Sequence, residues 1–161
     1  MENGEWSGGN GGIFKSTDAG QTWKQLQTGL PNDIAEANLA IAPSAPQQLF
    51  AAVATSKTVK LYRSDNAGEN WTIATEDDRP AGRIGGGDLP VIRFDPQDAK
   101  VVYSASVVCW KSNDGGKSWD WRGERPAATI TKTSGSAPND SKIVLLGSDQ
   151  GAIITLNGGT T

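Results

Sequence analysis

Apolar residues fall into short runs, among them Leu39 to Ala42, Leu49 to Ala54, Val107 to Trp110 and Ile143 to Leu145. Between the runs lie polar clusters rich in Gly, Pro, Asn and Asp, and no window carries a sustained helical period. This pattern predicts short strands joined by tight turns. One set is expected near 38–42, 48–54, 59–64 and 70–75, and a second at 90–95, 101–105, 107–112 and 118–122.

The turns repeat. Four segments align: Ser16 to Trp23 (STDAGQTW), Ser64 to Trp71 (SDNAGENW), Ser112 to Trp119 (SNDGGKSW) and Thr155 to Thr161 (TLNGGTT). Their starts are 48, 48 and 43 residues apart, close to the roughly 40 to 50 of a four-stranded propeller blade. A second signature of strand, Pro turn and strand precedes the later turns at Ile41 to Phe50 and Phe94 to Tyr103, and Pro138 to Leu145 repeats its latter part. The predicted fold is therefore all-β, built of propeller blades of four antiparallel strands. Residues 1–30 are expected to end one blade, 31–77 and 78–125 to form two, and 126–161 to form an incomplete fourth. At 161 residues and a 48-residue spacing, the chain should be an open arc of three to four blades, with a natural protein that continues beyond both termini.

Each turn has a structural logic of its own. Asp18, Asn66, Asp114 and Asn157 are placed to accept bonds from the turn's backbone, and the hydroxyls of Ser16, Ser64, Ser112 and Thr155 tie its start. Gly20, Gly68, Gly116 and Gly159 supply a left-handed position. Trp23, Trp71 and Trp119 then open the outer strand, where burial of an indole is worth up to about 4 to 6 kcal/mol. All three are expected in the core.

Composition narrows the chemistry. The chain has no His and a single Cys, which excludes Ser-His-Asp triads, Cys-His dyads and histidine or zinc centres within it. Cys109 lies in an apolar run and reads as a small buried hydrophobe. Twenty Gly, eight Pro and six Trp with 36% apolar residues suit a strand-and-turn protein. A net charge of -3 and scattered Lys and Arg argue against nucleic acid as a partner. No stretch has the length and apolarity of a membrane-spanning helix, and residues 1–15 lack the make-up of a signal peptide. Calcium at the turns would need further oxygen ligands and a distal Glu, so no metal or cofactor is expected. Carboxylates remain, and glycoside hydrolysis needs two of them about 5 to 10 Å apart across a cleft. Asp77, Asp78 and Asp88 lie in the long connection between the two central blades, which should run to the ligand-binding face, and are the candidate catalytic acids. Asp95 is a weaker one. Trp6, Trp110 and Trp121 lie outside the repeated turn and read as inter-blade packing rather than sugar-stacking platforms. Asn70 and Asn139 head formal glycosylation sequons.

At the four turns the chain resembles the Asp-box, or BNR-repeat, β-propellers: sialidases, xyloglucanase-type glycoside hydrolases, sortilin-type receptors and photosystem assembly propellers. In repeat style it is similar to secreted bacterial members described as glycosyl hydrolase or sortilin-like. The resemblance implies an extracellular or periplasmic protein that binds or hydrolyses glycans, with carbohydrate or peptide and the remaining blades of the same propeller as partners. It implies as the alternative a non-catalytic propeller that binds peptide or protein. The arginine-led motif of sialidases is absent, and Arg79, Arg83 and Arg93 do not replace it. Related propellers carry a Gly-Gly-Asp-Asp-Tyr-Gln type of sequence where this chain has Ala127 to Ala137. A one-base displacement of such codons reads Ala-Ala-Thr-Ile-Thr-Lys, so weaker pairing or disorder is expected at 127–137.

Overall fold

In the computed structural model of the chain, described for residues 11–82, 88–121, 131–148 and 151–158, thirteen strands form four antiparallel sheets. β1 (Ile13–Lys15) pairs with β2 (Lys24–Leu26). β3 (Glu36–Ile41), β4 (Leu49–Ala54), β5 (Val59–Ser64) and β6 (Thr72–Ile73) follow in sequence order, each beside the last. β7 (Val91–Phe94), β8 (Val102–Ala105), β9 (Cys109–Ser112) and β10 (Asp120–Trp121) repeat that order, and β11 (Thr131–Ala137), β12 (Asp140–Ser148) and β13 (Gly151–Thr155) form the last sheet. β3 contacts β7, and β7 contacts β11, so the first strands of successive sheets lie side by side.

The expected strands and the observed ones coincide closely except at the outer edge. Strands expected over 70–75 and 118–122 shrink to two residues each, β6 and β10. The cause is visible at Trp71, whose amide donates at 2.9 Å to the Thr28 carbonyl, in the connection that follows β2, instead of joining β6. In the last sheet, β11 pairs with β12 through two register irregularities, between Thr131 and Thr133 and between Ser136 and Ala137. The odd segment thus forms a strand from Thr131 onward, with interrupted pairing. Residues 127–130 lie outside the described residues.

The repeated turn closes each sheet by the same bonds. In the third, the Ser112 hydroxyl donates to Asp114 at 2.8 Å and accepts from the Gly116 amide at 2.8 Å, while Asp114 accepts from the Ser118 amide at 2.9 Å. Ser16, Asp18 and Gly20 make the matching set, as do Ser64, Asn66 and Gly68, and Thr155 donates to Asn157 at 2.8 Å. Gly159 lies outside the described residues. Two consecutive residues, not one, are left-handed: Ala19 and Gly20, Ala67 and Gly68, Gly115 and Gly116.

Burial pushes the Asp114 carboxyl up, but bonds from the Ser118 hydroxyl and amide, the Ser112 hydroxyl and the Lys117 amide outweigh it and hold the group at about 2, below its ordinary 3.8. A depressed carboxyl contributes stability that is present above the unfolded value near 3.8 and lost as pH falls through about 2. Asp114→Asn should therefore blunt the acid loss, because Asn66 already makes the corresponding bonds from the Ser64 hydroxyl and the Asn70 amide without titrating. Thermal melts at neutral pH and near pH 2 check this: an unchanged acid shift in the variant contradicts it.

Packing runs between sheets. Phe50, Ala52, Ala54, Leu61, Ile92, Phe94, Val102 and Trp119 form one core between the second and third sheets. Ile13, Leu26, Leu30, Ile34, Ala51, Val53 and Trp71 form another between the first and second. Trp71 and Trp119 are 3% and 4% exposed, each seated on the sheet before its own. Trp23 departs from expectation at 62% exposed. Its indole donates to the Gly20 carbonyl as Trp119 donates to Gly116, so the turn is intact, and among the described residues no sheet lies on its preceding side.

A rule absent from the sequence reading appears in β4, β8 and β12. Leu49, Val102 and Val144 pair with the turn residues Ser64, Ser112 and Thr155, which makes Phe50, Tyr103 and Leu145 equivalent. Phe50 receives the next sheet's turn, with its ring 6.3 Å from that of Trp119 in an edge contact. At the equivalent position the Tyr103 hydroxyl is buried without a hydrogen-bond partner among the described residues. An unsatisfied buried hydroxyl costs about 1 to 3 kcal/mol, so Tyr103→Phe is expected to stabilise the chain by about 1 kcal/mol in denaturant melts. A loss of stability would mean that the hydroxyl has a partner.

Candidate functional site

The sheets have two chemically different ends. One carries the repeated turns and the hairpins at 42–48 and 95–101. The other carries the hairpins at 55–58 and 106–108 together with the long connections at 27–35 and 74–90. The second connection is pinned where it begins and where it ends. Pro80 and Ala81, in a short 3-10 turn at Arg79–Ala81, are buried, and the Pro80 carbonyl accepts from the Ser104 hydroxyl. At its far end Leu89 and Pro90 are buried, and the Asn38 side chain donates to the Pro90 carbonyl at 3.2 Å.

Asp77 and Asp78 stand just before the first anchor, and Asp88 just before the second. Asp77 accepts two bonds from the Arg79 guanidinium, at 2.9 Å from Nε and 2.7 Å from Nη2, and a third from the Arg79 amide at 3.0 Å. The arginine holds the Asp77 carboxyl below the ordinary carboxylate range, against a smaller upward push from burial. Asp78 takes Lys60 from β5 at 2.6 Å, which raises the lysine. Arg79 also lies over the Trp110 ring, 4.8 Å from its centre, so one face of that half-buried indole is covered by a cation. Across the same end, Ser56 donates to Asp33 at 3.4 Å. Asp88 is exposed, just before β7.

On this geometry the three candidate acids differ. Asp77 stays ionised at neutral pH and clamps the connection, which does not suit a general acid, whose carboxyl must be raised. Asp78 ties the connection to β5. Asp78 and Asp88 are both exposed, and Asp88 is the one that lies next to the entry of a first strand, while Asp95 is buried at the opposite end, accepting from the Gln97 and Asp98 amides and the Ser141 hydroxyl. Cys109, at the start of β9, is pushed up to about 11 by burial and is no nucleophile at neutral pH.

Among solved structures, the chain is similar to the GH74 xyloglucanase from Xanthomonas campestris at a TM-score of 0.74 and 18% identity, over 94% of this chain and 27% of that one. The GH74 enzyme of Niastella koreensis follows at 0.68 and 17% identity, over 94% and 26%. YCF48 bound to D1 peptide matches at 0.55 and 13% identity, over 83% and 43%. The fold is that of β-propeller blades. The chain spans about a quarter of the length of these two GH74 chains. No family model and no curated protein matches it.

In a propeller the first strands ring the axis, as β3, β7 and β11 do here, and the connections from one blade's outer strand to the next blade's first strand cross the face above them. Asp77 to Arg79 and Asp88 belong to such a connection. Arg83 and residues 84–87 between them, Trp6, and the Trp121 side chain lie outside what the structure describes. At the other end, adjacent repeated turns leave an open groove of about 610 Å³ lined by Arg63, Asp65, Lys100, Asp114 and Lys117. It is a structural seam, since Arg63 is engaged by Asp65 and by the Gly115 carbonyl at 2.8 Å. Sequence reasoning missed Lys60, Trp110 as the Arg79 platform, and Asn38. Their partners are set by which sheets become neighbours, and only the 48-residue repeat signals that.

Proposed function

We propose that the chain is part of an Asp-box propeller that binds glycans through its connection face, and that the blades correspond to 31–77 and 78–125, flanked by the partial blades 1–30 and 126–161. The observation that carries this reading is the overlay on the GH74 xyloglucanase over 94% of the chain, with Asp88 exposed on a connection between first and outer strands. Ser16, Asp18, Gly20 and Trp23 and their counterparts serve the frame at the far end. Asp77 and Asp78 hold the connection in place through Arg79 and Lys60, and Asp88 is the carboxylate offered to a sugar. Hydrolysis would require a second carboxylate within about 5 to 10 Å. An extracellular or periplasmic location accords with this reading; among the described residues no helix is long and apolar enough to cross a membrane.

The test is calorimetric titration with neutral β-glucan oligosaccharides, xyloglucan fragments included. Saturable binding is expected, weakened at least tenfold by Arg79→Ala, which frees the clamp. YCF48 bound to D1 peptide supports a second reading, a peptide-binding propeller. Binding of extended peptides with no response to any glycan would replace the first reading by the second.

A further inference from the structure

Two seams inside the chain, one between the first and second sheets and one between the second and third, differ in how their charges are met. Their apolar floors are not alike, with Leu26 beneath one turn and Phe50 beneath the other. Their charged rims nonetheless correspond position by position when counted from the turn serine. The residue before that serine is Lys15 on the first sheet and Arg63 on the second. The fifth residue after it, on the turn of the following sheet, is Glu69 in the first seam and Lys117 in the second.

In the first seam the Glu69 carboxylate crosses between sheets, accepting from Lys15 at 2.8 Å and from Lys24 at 3.4 Å, and the cavity beside it is about 160 Å³. In the second seam Lys117 stands in the place of Glu69 and Thr72 in the place of Lys24, and the groove widens to about 610 Å³. Among the described residues no ion pair crosses it. Its own acids are engaged elsewhere: Asp65 holds Arg63, and Asp114 accepts from the Ser112 and Ser118 hydroxyls of its turn. Lys100 and Lys117 are fixed by their backbones, the Lys100 carbonyl accepting from the Gly115 amide at 2.8 Å and the Lys117 carbonyl from the Thr75 hydroxyl at 3.2 Å. Their ammonium groups have no carboxylate partner among the described residues. In a chain of net charge -3 this is a local excess of positive charge.

The other lining residues narrow the ligand. Thr72 and Ile73 belong to β6, the outermost strand of its sheet, and such an edge offers unpaired backbone groups to an extended chain. No aromatic ring lines the groove, so a sugar finds no ring face to stack on. We propose that this groove binds an extended acidic peptide, with a glutamate or aspartate carboxylate seated between Lys100 and Lys117 where Glu69 closes the first seam. The groove lies at the end opposite the connection face, and its ligand is independent of any glycan bound there.

Fluorescence anisotropy on the full chain, with a fluorescein-labelled peptide of alternating glutamate and threonine, tests this. Saturable binding is expected, weakening as salt is raised because exposed charges are screened. The same peptide with glutamine for glutamate should not bind. Lys117→Glu should weaken binding about tenfold and Lys100→Ala about three- to fivefold, as the loss of exposed ion pairs allows. Lys57→Glu, the same change of charge on an exposed hairpin at the opposite end, should leave binding unchanged. Lys117→Glu should also raise the melting temperature at low salt, because it sets a carboxylate across the second seam as Glu69 is set across the first. A fall would overturn the placement of Lys117 among cations. Equal binding of the glutamine peptide would overturn the proposal, as would parent-like binding by both groove variants or an equal loss with Lys57→Glu. Unlabelled oligogalacturonate, which carries its carboxylates on sugar rings, should compete more weakly than unlabelled peptide. Stronger competition would replace the peptide by an acidic glycan.

Discussion

Trp119→Ala is expected to lower the unfolding free energy by about 3 to 5 kcal/mol, as is usual for a buried large aromatic. Trp23→Ala, at the same place in its turn, should change it by no more than about 0.5 kcal/mol, as for other exposed positions. The two tryptophans share their turn, their left-handed neighbours and their indole bond to a glycine carbonyl, at 3.0 and 3.1 Å. They differ in having a sheet to lie on. Trp119 meets Phe50, and Trp23 meets solvent. Denaturant melts measure both. Equal losses would mean that the tryptophan acts within its own turn and not through the junction.

Gly29→Ala is expected to cost at least about 3 kcal/mol, because two separate penalties meet there. Its backbone is left-handed, with φ at +82°, which costs a residue with a Cβ about 1 to 2 kcal/mol. A Cβ would also lie 1.8 Å from the Trp71 carbonyl oxygen, and that oxygen belongs to backbone held by the bond from the Trp71 amide to Thr28. Neither side can give way. Gly20→Ala is the control: φ is similar at +87°, but the nearest atom is 3.7 Å away on Trp23, so only the conformational penalty remains. If the two variants melt alike, the close approach of residue 29 to the second sheet is wrong.

Much of the frame was legible because it is written locally. Strands expected at 48–54 and 59–64 appear at Leu49–Ala54 and Val59–Ser64, since alternating apolar runs and the Ser-led turn bound them on both sides. What the sequence did not show is everything decided by a neighbouring sheet. Trp23, Trp71 and Trp119 look alike in sequence and differ in burial because, among the described residues, only Trp71 and Trp119 have a sheet before them. Gly29 and Phe50 carry no mark of their own, and matter because a turn 42 to 69 residues further along lands on them. The site suffered most. Asp77, Asp78 and Asp88 form a single acidic stock in sequence, and tertiary partners sort them: Arg79, itself stacked on Trp110, takes the first and Lys60 the second.

The direction of the tryptophan contacts bears on how the chain is made. Trp71 rests on a sheet completed by residue 26, and Trp119 on one whose strands are complete by residue 73. A ribosome delivers residues in that same order. Each new sheet therefore emerges with its apolar face opposite one already assembled, and no tryptophan at an interior junction must wait for a surface still to be synthesised. Built in the reverse sense, with each indole resting on the sheet after its own, the same junctions would hold every tryptophan in water for the time needed to translate another blade.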